Sequence, residues 1–290
     1  MAITAAMVKE LREITGAGMM DCKKALTEND GNMDESVEFL RKNGQAKAEK
    51  KAGRIAAEGL CDVAIQENTA AIVEVNSETD FVAKNEDFIS YVGMVANQAL
   101  SSNADNIDDF LAEKWKEDSS KSVKEALTDK IAVIGENLSI RRFAKVKAEN
   151  GMVVSYVHGG GRIAVLVNAV CPKEDAAKEA LMNVAMQIAA LNPKYISDKD
   201  VDQEFIAHEK EILKSQIDND PKEASKPEKV KEGMVNGRLN KELKEICLLD
   251  QEYVKAEDGK QSVAKYLEQI SKEVGSEVKI TEFVRFETGE

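Results

Sequence analysis

The first 46 residues carry hydrophobic side chains at helical spacing, interrupted by turns that contain glycine. Apolar residues that recur every three or four positions mark one face of an α-helix, and glycine or asparagine after them marks its end. We expect three helices, capped or begun at Thr4, at Met19 or Met20 and at Asp34, with ends at 15–18, 29–32 and 43–44. A unit this small is marginally stable alone. Residues 1–46 are therefore predicted to be a three-helix docking module.

Alanine, lysine and glutamate dominate residues 47–58, with one glycine among them. This composition predicts a partly helical linker whose positive charge is local. The basic residues are Lys47, Lys50, Lys51 and Arg54. A solvated helix face is the favoured explanation of these charges from composition alone, and contact with a partner is the alternative.

Beyond Gly59 the hydrophobic period changes from helical to alternating. Apolar residues alternate over 61–65 and again over 71–75, on either side of a turn at 67–69. This pattern predicts a β-hairpin. A helical face follows at Phe88, Val92, Val95 and Ala99. The unit is therefore strand, strand, helix.

The same pattern recurs at residues 151–168, which lie at a constant offset from 59–76, with a glycine turn at 159–161. A second helix follows and ends at Asn192. Further strands are expected at 137–147 and 277–287. Recurrence predicts an α+β fold with a duplicated antiparallel sheet-plus-helix core. We assign residues 59–147 to the first core subdomain, and 148–198 with 236–290 to the second.

Between these parts of the second subdomain, residues 199–235 are charged and helical in pattern, with prolines in the middle. A thin apolar stripe is expected at Phe205, Ile212, Val230 and Met234. The pattern predicts an inserted helical hairpin, a coiled coil that protrudes from the core. A disordered acidic insertion is the alternative.

The composition and net charge of the chain argue against some classes of function. The chain has 290 residues, a formal net charge of −13 and 32% charged residues, which indicates a soluble globular protein that a phosphate backbone would repel. We expect no direct nucleic-acid partner and no membrane segment. The four cysteines are scattered and the N-terminus is no signal peptide, which favours a cytoplasmic protein with reduced thiols.

Candidate chemistry is concentrated in one turn. Thr79, Asp80, Phe81 and Val82 follow a predicted strand and precede the capped helix start at Asn85. An aromatic side chain on a loop is a common interface anchor. The alternative is that Phe81 folds back under Phe88 as a small satellite cluster and that Asp80 helps to cap the helix. With only two histidines and no paired catalytic groups, we expect no enzyme chemistry, metal or cofactor.

Several motifs resemble the bacterial elongation factor Ts family. They are the run Val8–Leu26, the run Thr79–Ala83, the run Ile134–Asn137, the pair Arg141 and Arg142, and His158 with the glycines after it. They occur in the same order as in that family and span essentially the whole chain. The first two are highly specific.

The resemblance implies a guanine nucleotide exchange factor for elongation factor Tu, acting on its GDP-bound and nucleotide-free forms. It implies an N-terminal module similar to a ubiquitin-associated domain, and a loop matching residues 79–82 that intrudes near the partner's magnesium and phosphate site. The implied partner-binding residues are Arg12, Met19, Met20, Lys51, Ile134, Gly135 and His158. A homodimer within a larger complex is compatible with it, and some members have a further helix after the position of Glu290. A non-catalytic adaptor or chaperone-like scaffold is the alternative function.

Overall fold

A computed structural model describes residues 2–256 and 259–290. In this part of the chain, no helix is both long enough and apolar enough to cross a lipid bilayer. The N-terminal half contains α1 (Ala5–Thr15), α2 (Met19–Glu28), α3 (Met33–Lys51), β1 (Glu58–Gln66), β2 (Thr69–Ser77), α4 (Asp80–Ala83), α5 (Glu86–Ser101), α6 (Ile107–Ala112), β3 (Lys114–Trp115), β4 (Asp118–Ser122), α7 (Val123–Ile134) and β5 (Ser139–Lys147). The C-terminal half contains β6 (Gly151–His158), β7 (Ile163–Val170), α8 (Asp175–Leu191), α9 (Gln203–Asn219), α10 (Glu228–Ile246), α11 (Val263–Glu273) and β8 (Lys279–Glu287).

The three N-terminal helices form their own small core around Leu11, Cys22 and Leu26. Helix α1 begins at Thr4, whose side chain accepts from the Met7 N–H, and ends at Gly16 with φ 66°. The start and the end of α1 are those predicted from the sequence. A hydroxyl satisfies a free N–H at a helix start, and glycine adopts the left-handed conformation at a helix end without strain.

Helix α3 does not end at Gly44, as predicted, but continues to Lys51. A Cβ on Gly44 would lie 3.2 Å from the Cβ of Ala132 in α7. The glycine therefore permits two helices to approach closely rather than ending one. As a result, the predicted boundary between the module and the linker falls inside a continuous helix.

Two three-stranded antiparallel sheets form the core, with strand orders β1-β2-β5 and β6-β7-β8. They confirm the α+β class and the two copies of the hairpin-plus-helix pattern. The constant offset between the copies is wrong, however. The turn between β1 and β2 has two residues and the turn between β6 and β7 has four, 159–162, so Gly59 pairs with Asn76 whereas Gly151 pairs with Val170.

The sheets pack face to face, and each is covered on its outer face by helices. Alternate residues of both sheets, among them Ile72, Val146 and Leu166, form the layer between them. The opposite residues of the first sheet pack on α5, α6 and α7, and those of the second pack on α8 and α11. The order of layers is helix, sheet, sheet, helix.

Helices α9 and α10 form the predicted helical hairpin, although the apolar stripe differs from the prediction. The residues packed between the arms are Leu213, Ile217, Val235 and Leu239, with Met234 partly buried. Ile212 and Val230 lie on the exposed side. The arms are joined by ion pairs such as Lys231 Nζ to Asp218 Oδ1 at 2.6 Å. Helix α10 is continuous across the predicted boundary at 235 and 236.

An ion pair within the first sheet, between Glu74 of β2 and Arg142 of β5, is hydrogen-bonded to the chain at the end of β8 in the second sheet. The Glu74 side chain is fully buried, and its Oε2 accepts from Arg142 Nε at 2.6 Å. Its Oε1 accepts from Asn76 Nδ2 and from the Gly289 N–H, both at 3.0 Å. The Arg142 guanidinium stacks 4.3 Å from the centre of the Phe286 ring and donates to the Glu287 carbonyl. This cluster fixes the ends of β2, β5 and β8 together.

We expect Arg142→Met to lower the free energy of unfolding by about 2–3 kcal/mol, because the buried Glu74 would lose its hydrogen-bonded cation at 2.6 Å and keep the Arg141 Nε at 4.0 Å. The value is below that for a fully buried pair because the Arg142 side chain is 33% exposed. Adding Glu74→Gln should recover part of the loss by removing the isolated charge. Denaturant unfolding compares the unmodified protein with both variants, and the control is Lys147→Met, at an exposed cation of the same strand. An Arg142→Met protein as stable as the control would contradict this role.

Candidate functional site

Phe81 projects from α4, a single helical turn between β2 and α5. Its side chain is 81% exposed, whereas Phe88 on α5 is completely buried. The alternative in which Phe81 folds back under Phe88 is therefore wrong. Val82 and Ala83, on the other side of the same turn, pack against the first core. The turn is anchored by small apolar residues and presents its one large aromatic outward.

Asp80 does not cap either neighbouring helix. The N-cap of α4 is Thr79 and that of α5 is Asn85. Instead, the Asp80 carboxylate accepts from Lys84 Nζ at 2.7 Å on the surface. The hydrogen bond from this ammonium group, and then its charge, lower the pKa of Asp80. Asp80 is thus ionised and available to a partner once Lys84 is displaced.

Two carboxylates connect this turn to the segment after α7. Glu136 accepts from the Thr79 N–H through Oε2 at 3.1 Å and from the Thr79 hydroxyl through Oε1 at 2.7 Å. In the opposite direction, Glu78 Oε1 accepts from the Asn137 N–H at 2.6 Å. Residues 78–82 and 134–137 are therefore one structural unit.

The structure places Ile134 and Gly135 beside the turn through this unit. Gly135 ends α7 with φ 88°, a conformation that favours glycine, and is exposed. Ile134 is half-buried against the first core. The sharp change of direction at Gly135 brings Glu136 to Thr79, which joins the predicted intruding residues to two of the predicted partner-binding residues.

Lys51 belongs to the same neighbourhood. It is the last residue of α3, and Arg54, one turn further on, donates to Glu78 Oε1 at 3.4 Å. Partial burial, followed by the charges of Arg54 and Lys47, lowers the pKa of Lys51, and Glu78 and Glu136 oppose this shift. The half-buried Lys51 is therefore not part of a purely solvated helix face.

Arg12, Met19 and Met20 lie on the exposed side of the N-terminal module. Met19 is 60% and Met20 is 76% exposed, so neither methionine belongs to the core of the module. The nearby Gly16 approaches α7, where a Cβ on it would lie 3.5 Å from Val133 Cγ2. Residues 133–137 therefore run from the module's first turn to the Phe81 turn.

His158 is an exposed residue at the end of β6, so a buried structural histidine is excluded. Its Nδ1 lies 2.9 Å from the Tyr156 hydroxyl. The turn after it is held on the first sheet, because the Gly161 carbonyl accepts from the Cys61 N–H at 2.6 Å. Gly161 has a φ of 99°, which favours glycine, and a Cβ on it would lie 2.7 Å from Leu60 Cδ2 and 3.3 Å from the Cys61 carbonyl oxygen.

The sheet register puts the His158 turn and the Phe81 turn at the same end of the sandwich. Strand β1 begins beside Ser77, where β2 ends and the Phe81 turn starts. The glycine turn after His158 contacts β1 at Leu60, close to that beginning. The two surfaces are carried by different sheets and form two patches at one end of the molecule.

Sequence reasoning missed two features of this region. Glu78, Glu136 and Asn137 carry the contacts that hold the Phe81 turn, and nothing in their spacing indicated contacts across about 57 positions. Ile55, immediately before β1, is 84% exposed, yet it looked like an ordinary linker residue. Its only signal was a large apolar residue within a polar stretch. Across residues 2–256 and 259–290, no three His, Cys, Asp or Glu side chains converge on a possible metal site.

Comparison with known proteins agrees with these motifs. The sequence profile of the family described as Elongation factor TS matches residues 78–290. The chain is 53% identical to Elongation factor Ts of Clostridium perfringens over 291 residues, which is 99% of this chain and 93% of the relative. It is 52% identical to that of Clostridioides difficile over the same shares, and 49% identical to that of Clostridium tetani over 99% of this chain and 94% of the relative. The chain belongs to the elongation factor Ts family.

Proposed function

We propose that this protein is a guanine nucleotide exchange factor that binds elongation factor Tu with GDP and promotes GDP release during translation elongation in the cytoplasm. The observation that carries the proposal is Phe81, which is 81% exposed on a turn whose backbone is anchored at Thr79 and Ala83. An exposed aromatic on a fixed support is suited to entering a partner's surface. Membership in the elongation factor Ts family supports elongation factor Tu as the partner.

The mechanism needs no bond to be made or broken by this chain. Magnesium bound to a nucleotide requires near-ideal octahedral geometry, so small displacements of the loops around it weaken nucleotide binding. In the proposed complex, Phe81 wedges between apolar side chains and Asp80 competes for hydrogen-bond donors near that site. Coupling is reciprocal, so the nucleotide in turn displaces the factor.

The remaining predicted residues supply affinity in this proposal. Arg12, Met19 and Met20 form the docking surface of the module, since exposed methionines adapt to a partner surface. His158 forms a second contact at the same end of the sandwich. Lys51, Ile134 and Gly135 border the intruding turn. The net charge of −13 favours a protein partner over nucleic acid.

One assay separates exchange from simple binding. Elongation factor Tu loaded with a fluorescent GDP is mixed with increasing amounts of this protein and an excess of unlabelled GDP. An exchange factor accelerates loss of the signal up to a maximal rate. The adaptor alternative predicts a complex without acceleration, and that result would refute the proposal.

Phe81→Ala should lower the maximal GDP-release rate at least tenfold, because truncating an interface anchor costs about 2 kcal/mol or more. Its melting temperature should change by less than about 2 °C, since the side chain is not part of the core. The control is Ile65→Ala, which truncates a residue that is 43% exposed at the opposite end of β1. Unchanged release by Phe81→Ala would show that the turn does not act on the nucleotide.

Replacing both Met19 and Met20 with serine should raise the half-saturating concentration about tenfold and preserve the maximal rate, because these residues are proposed to dock rather than intrude. The same titration measures both quantities. Val254→Ser, at a residue that is 52% exposed, is the matched control. A fall in the maximal rate with normal binding would reassign the methionines to the exchange step.

His158→Ala should weaken complex formation, while His158→Gln should retain much of it, because glutamine keeps a polar side chain of similar reach. Binding is measured with the nucleotide-free partner by calorimetry, and exchange by the release assay at saturation. Loss of exchange in both variants with intact binding would overturn the contact role and assign His158 to nucleotide release.

A further inference from the structure

We infer that Glu136 is a positioning residue for exchange, which sets the direction of the Phe81 turn through its two hydrogen bonds to Thr79. This inference rests on the proposed function and deepens it. Glu136 belongs to a different part of the first subdomain from the turn that it holds, and it lies 57 positions after Thr79. Its role is therefore a property of the tertiary fold.

The Phe81 turn needs support from outside because its own contacts are few. The Phe81 side chain is 81% exposed and gains no burial in the free protein. The Asp80–Lys84 ion pair lies on the surface, where such pairs contribute little. Burial begins only with Val82 and Ala83, behind the aromatic. At the start of the turn, the buried Ser77 hydroxyl donates to the Thr79 carbonyl at 3.1 Å, a neutral hydrogen bond that leaves room for a stronger restraint from outside the turn.

Glu136 supplies that restraint with both of its oxygens. Oε2 accepts from the Thr79 N–H and Oε1 from the Thr79 hydroxyl, at 3.1 and 2.7 Å. The same hydroxyl accepts from the Val82 N–H at 3.4 Å, so the carboxylate, the hydroxyl and the turn form one chain of hydrogen bonds. Hydrogen bonds to an ionised acceptor are roughly twice as strong as neutral ones. Glu136 therefore orients the residues on both sides of Asp80 and Phe81.

Glu136 is itself held in place by its neighbours. Regular pairing of β2 with β5 ends at Asn76 and Ser139. Beyond that point, Asn137 donates through its N–H to Glu78 at 2.6 Å and through Nδ2 to the Arg54 carbonyl at 2.8 Å. The carboxylates of Glu78 and Glu136 thus connect the two chain segments beyond the point where the backbone pairing of β2 and β5 stops. Because the segment around Glu136 is itself fixed, its carboxylate can determine the orientation of the Phe81 turn.

This arrangement predicts an effect on the exchange step rather than on docking. The proposed docking residues Met19, Met20 and His158 make no hydrogen bond to Glu136 within the part of the chain that the structure describes. Complexes should therefore form normally without the carboxylate, but a smaller fraction should have Phe81 in the productive position. The maximal rate then falls while the half-saturating concentration changes little.

The test uses the full-length protein and the GDP-release assay. We expect Glu136→Gln to lower the maximal rate about tenfold, with less than about a twofold change in half-saturating concentration, because an amide presents a donor to one of the two Thr79 donors. Thr79→Val, which lacks the hydroxyl, should behave similarly, and Thr79→Ser should retain more of the rate than Thr79→Val. The double variant Glu136→Gln with Thr79→Val should have a maximal rate only slightly below that of the more impaired single variant, because both substitutions remove the same contact.

The matched control is Glu113→Gln. Glu113 is also a half-buried carboxylate that accepts from a side chain and a backbone N–H, here of Ser102 and Asn103, in the same subdomain. Its variant should exchange at the normal maximal rate. Amide hydrogen exchange provides an independent readout, in which Glu136→Gln should accelerate exchange at Thr79 and Val82 while the strand amides of β2 keep their protection.

The outcomes separate the two proposals. If the unmodified protein fails to accelerate GDP release, the proposed function itself fails. If the unmodified protein is active and Glu136→Gln has the same maximal rate, the positioning role is refuted. Should Glu136→Gln lower stability generally, seen as lost protection throughout β2, Thr79→Val decides, because it leaves Glu136 in place. The role would also be refuted if Thr79→Val released GDP at the normal maximal rate and Thr79→Ser were no faster.

Discussion

The ion pair between Glu74 and Arg142 fixes the end of the sandwich that carries the Phe81 turn and its support. Glu74 lies four positions before Glu78, and Arg142 lies five positions after Asn137, so the pair locks the two strands from which the Phe81 turn and its support emerge. Its bond to the Gly289 N–H extends the same cluster to the chain end after β8. Burying an ionised carboxylate costs free energy unless both of its oxygens accept hydrogen bonds, and here both Glu74 oxygens do. The requirement for these partners leaves the strand ends little freedom.

The sequence correctly predicted those elements that are determined by residues close together in the chain. The β-hairpins, the caps at Thr4 and Asn85 and the arms of the hairpin α9–α10 follow from periodicity and from cap chemistry, and the structure agrees. Exposure of Phe81 could not be decided from spacing, because a turn of this kind can fold either way. The structure decided it through the packing of Val82 and Ala83.

The wrong helix end at Gly44 and the misplaced apolar stripe share one physical cause, which is that the decisive neighbour is distant in sequence. Gly44 looked like a helix end, but Ala132 makes it a packing position. The interface of the α9–α10 hairpin is lined by residues adjacent to those predicted, because the partner arm selects the buried face. The contacts of Glu136 became visible only once β2 and β5 were adjacent. Site residues named through the family resemblance remain predictions, although the structure brings residues 79–82, 134 and 135 together.

The two copies of the core show how one scaffold supports different surfaces. Eight residues connect β2 to α5 and include α4, whereas four residues connect β7 to α8. At the bulge where the first copy has Glu74, the second has Asn168. The buried ion pair and the Phe81 turn thus occur in the same copy. The second copy has its longer loop at the other connection, within the hairpin that carries His158.

The continuity of α3 through Gly44 to Lys51 gives the molecule a mechanical property. A helix of 19 residues is about 28 Å long, and this one is packed on α7 along part of that length. It therefore acts as a stiff spacer between the docking module and the Arg54–Glu78 contact. With a flexible tether, the second contact with a partner would depend on a distribution of distances. In the proposed complex, with a rigid spacer, the first contact would set the distance of the second, and the effective concentration of the Phe81 turn at the partner would follow from the geometry of one helix.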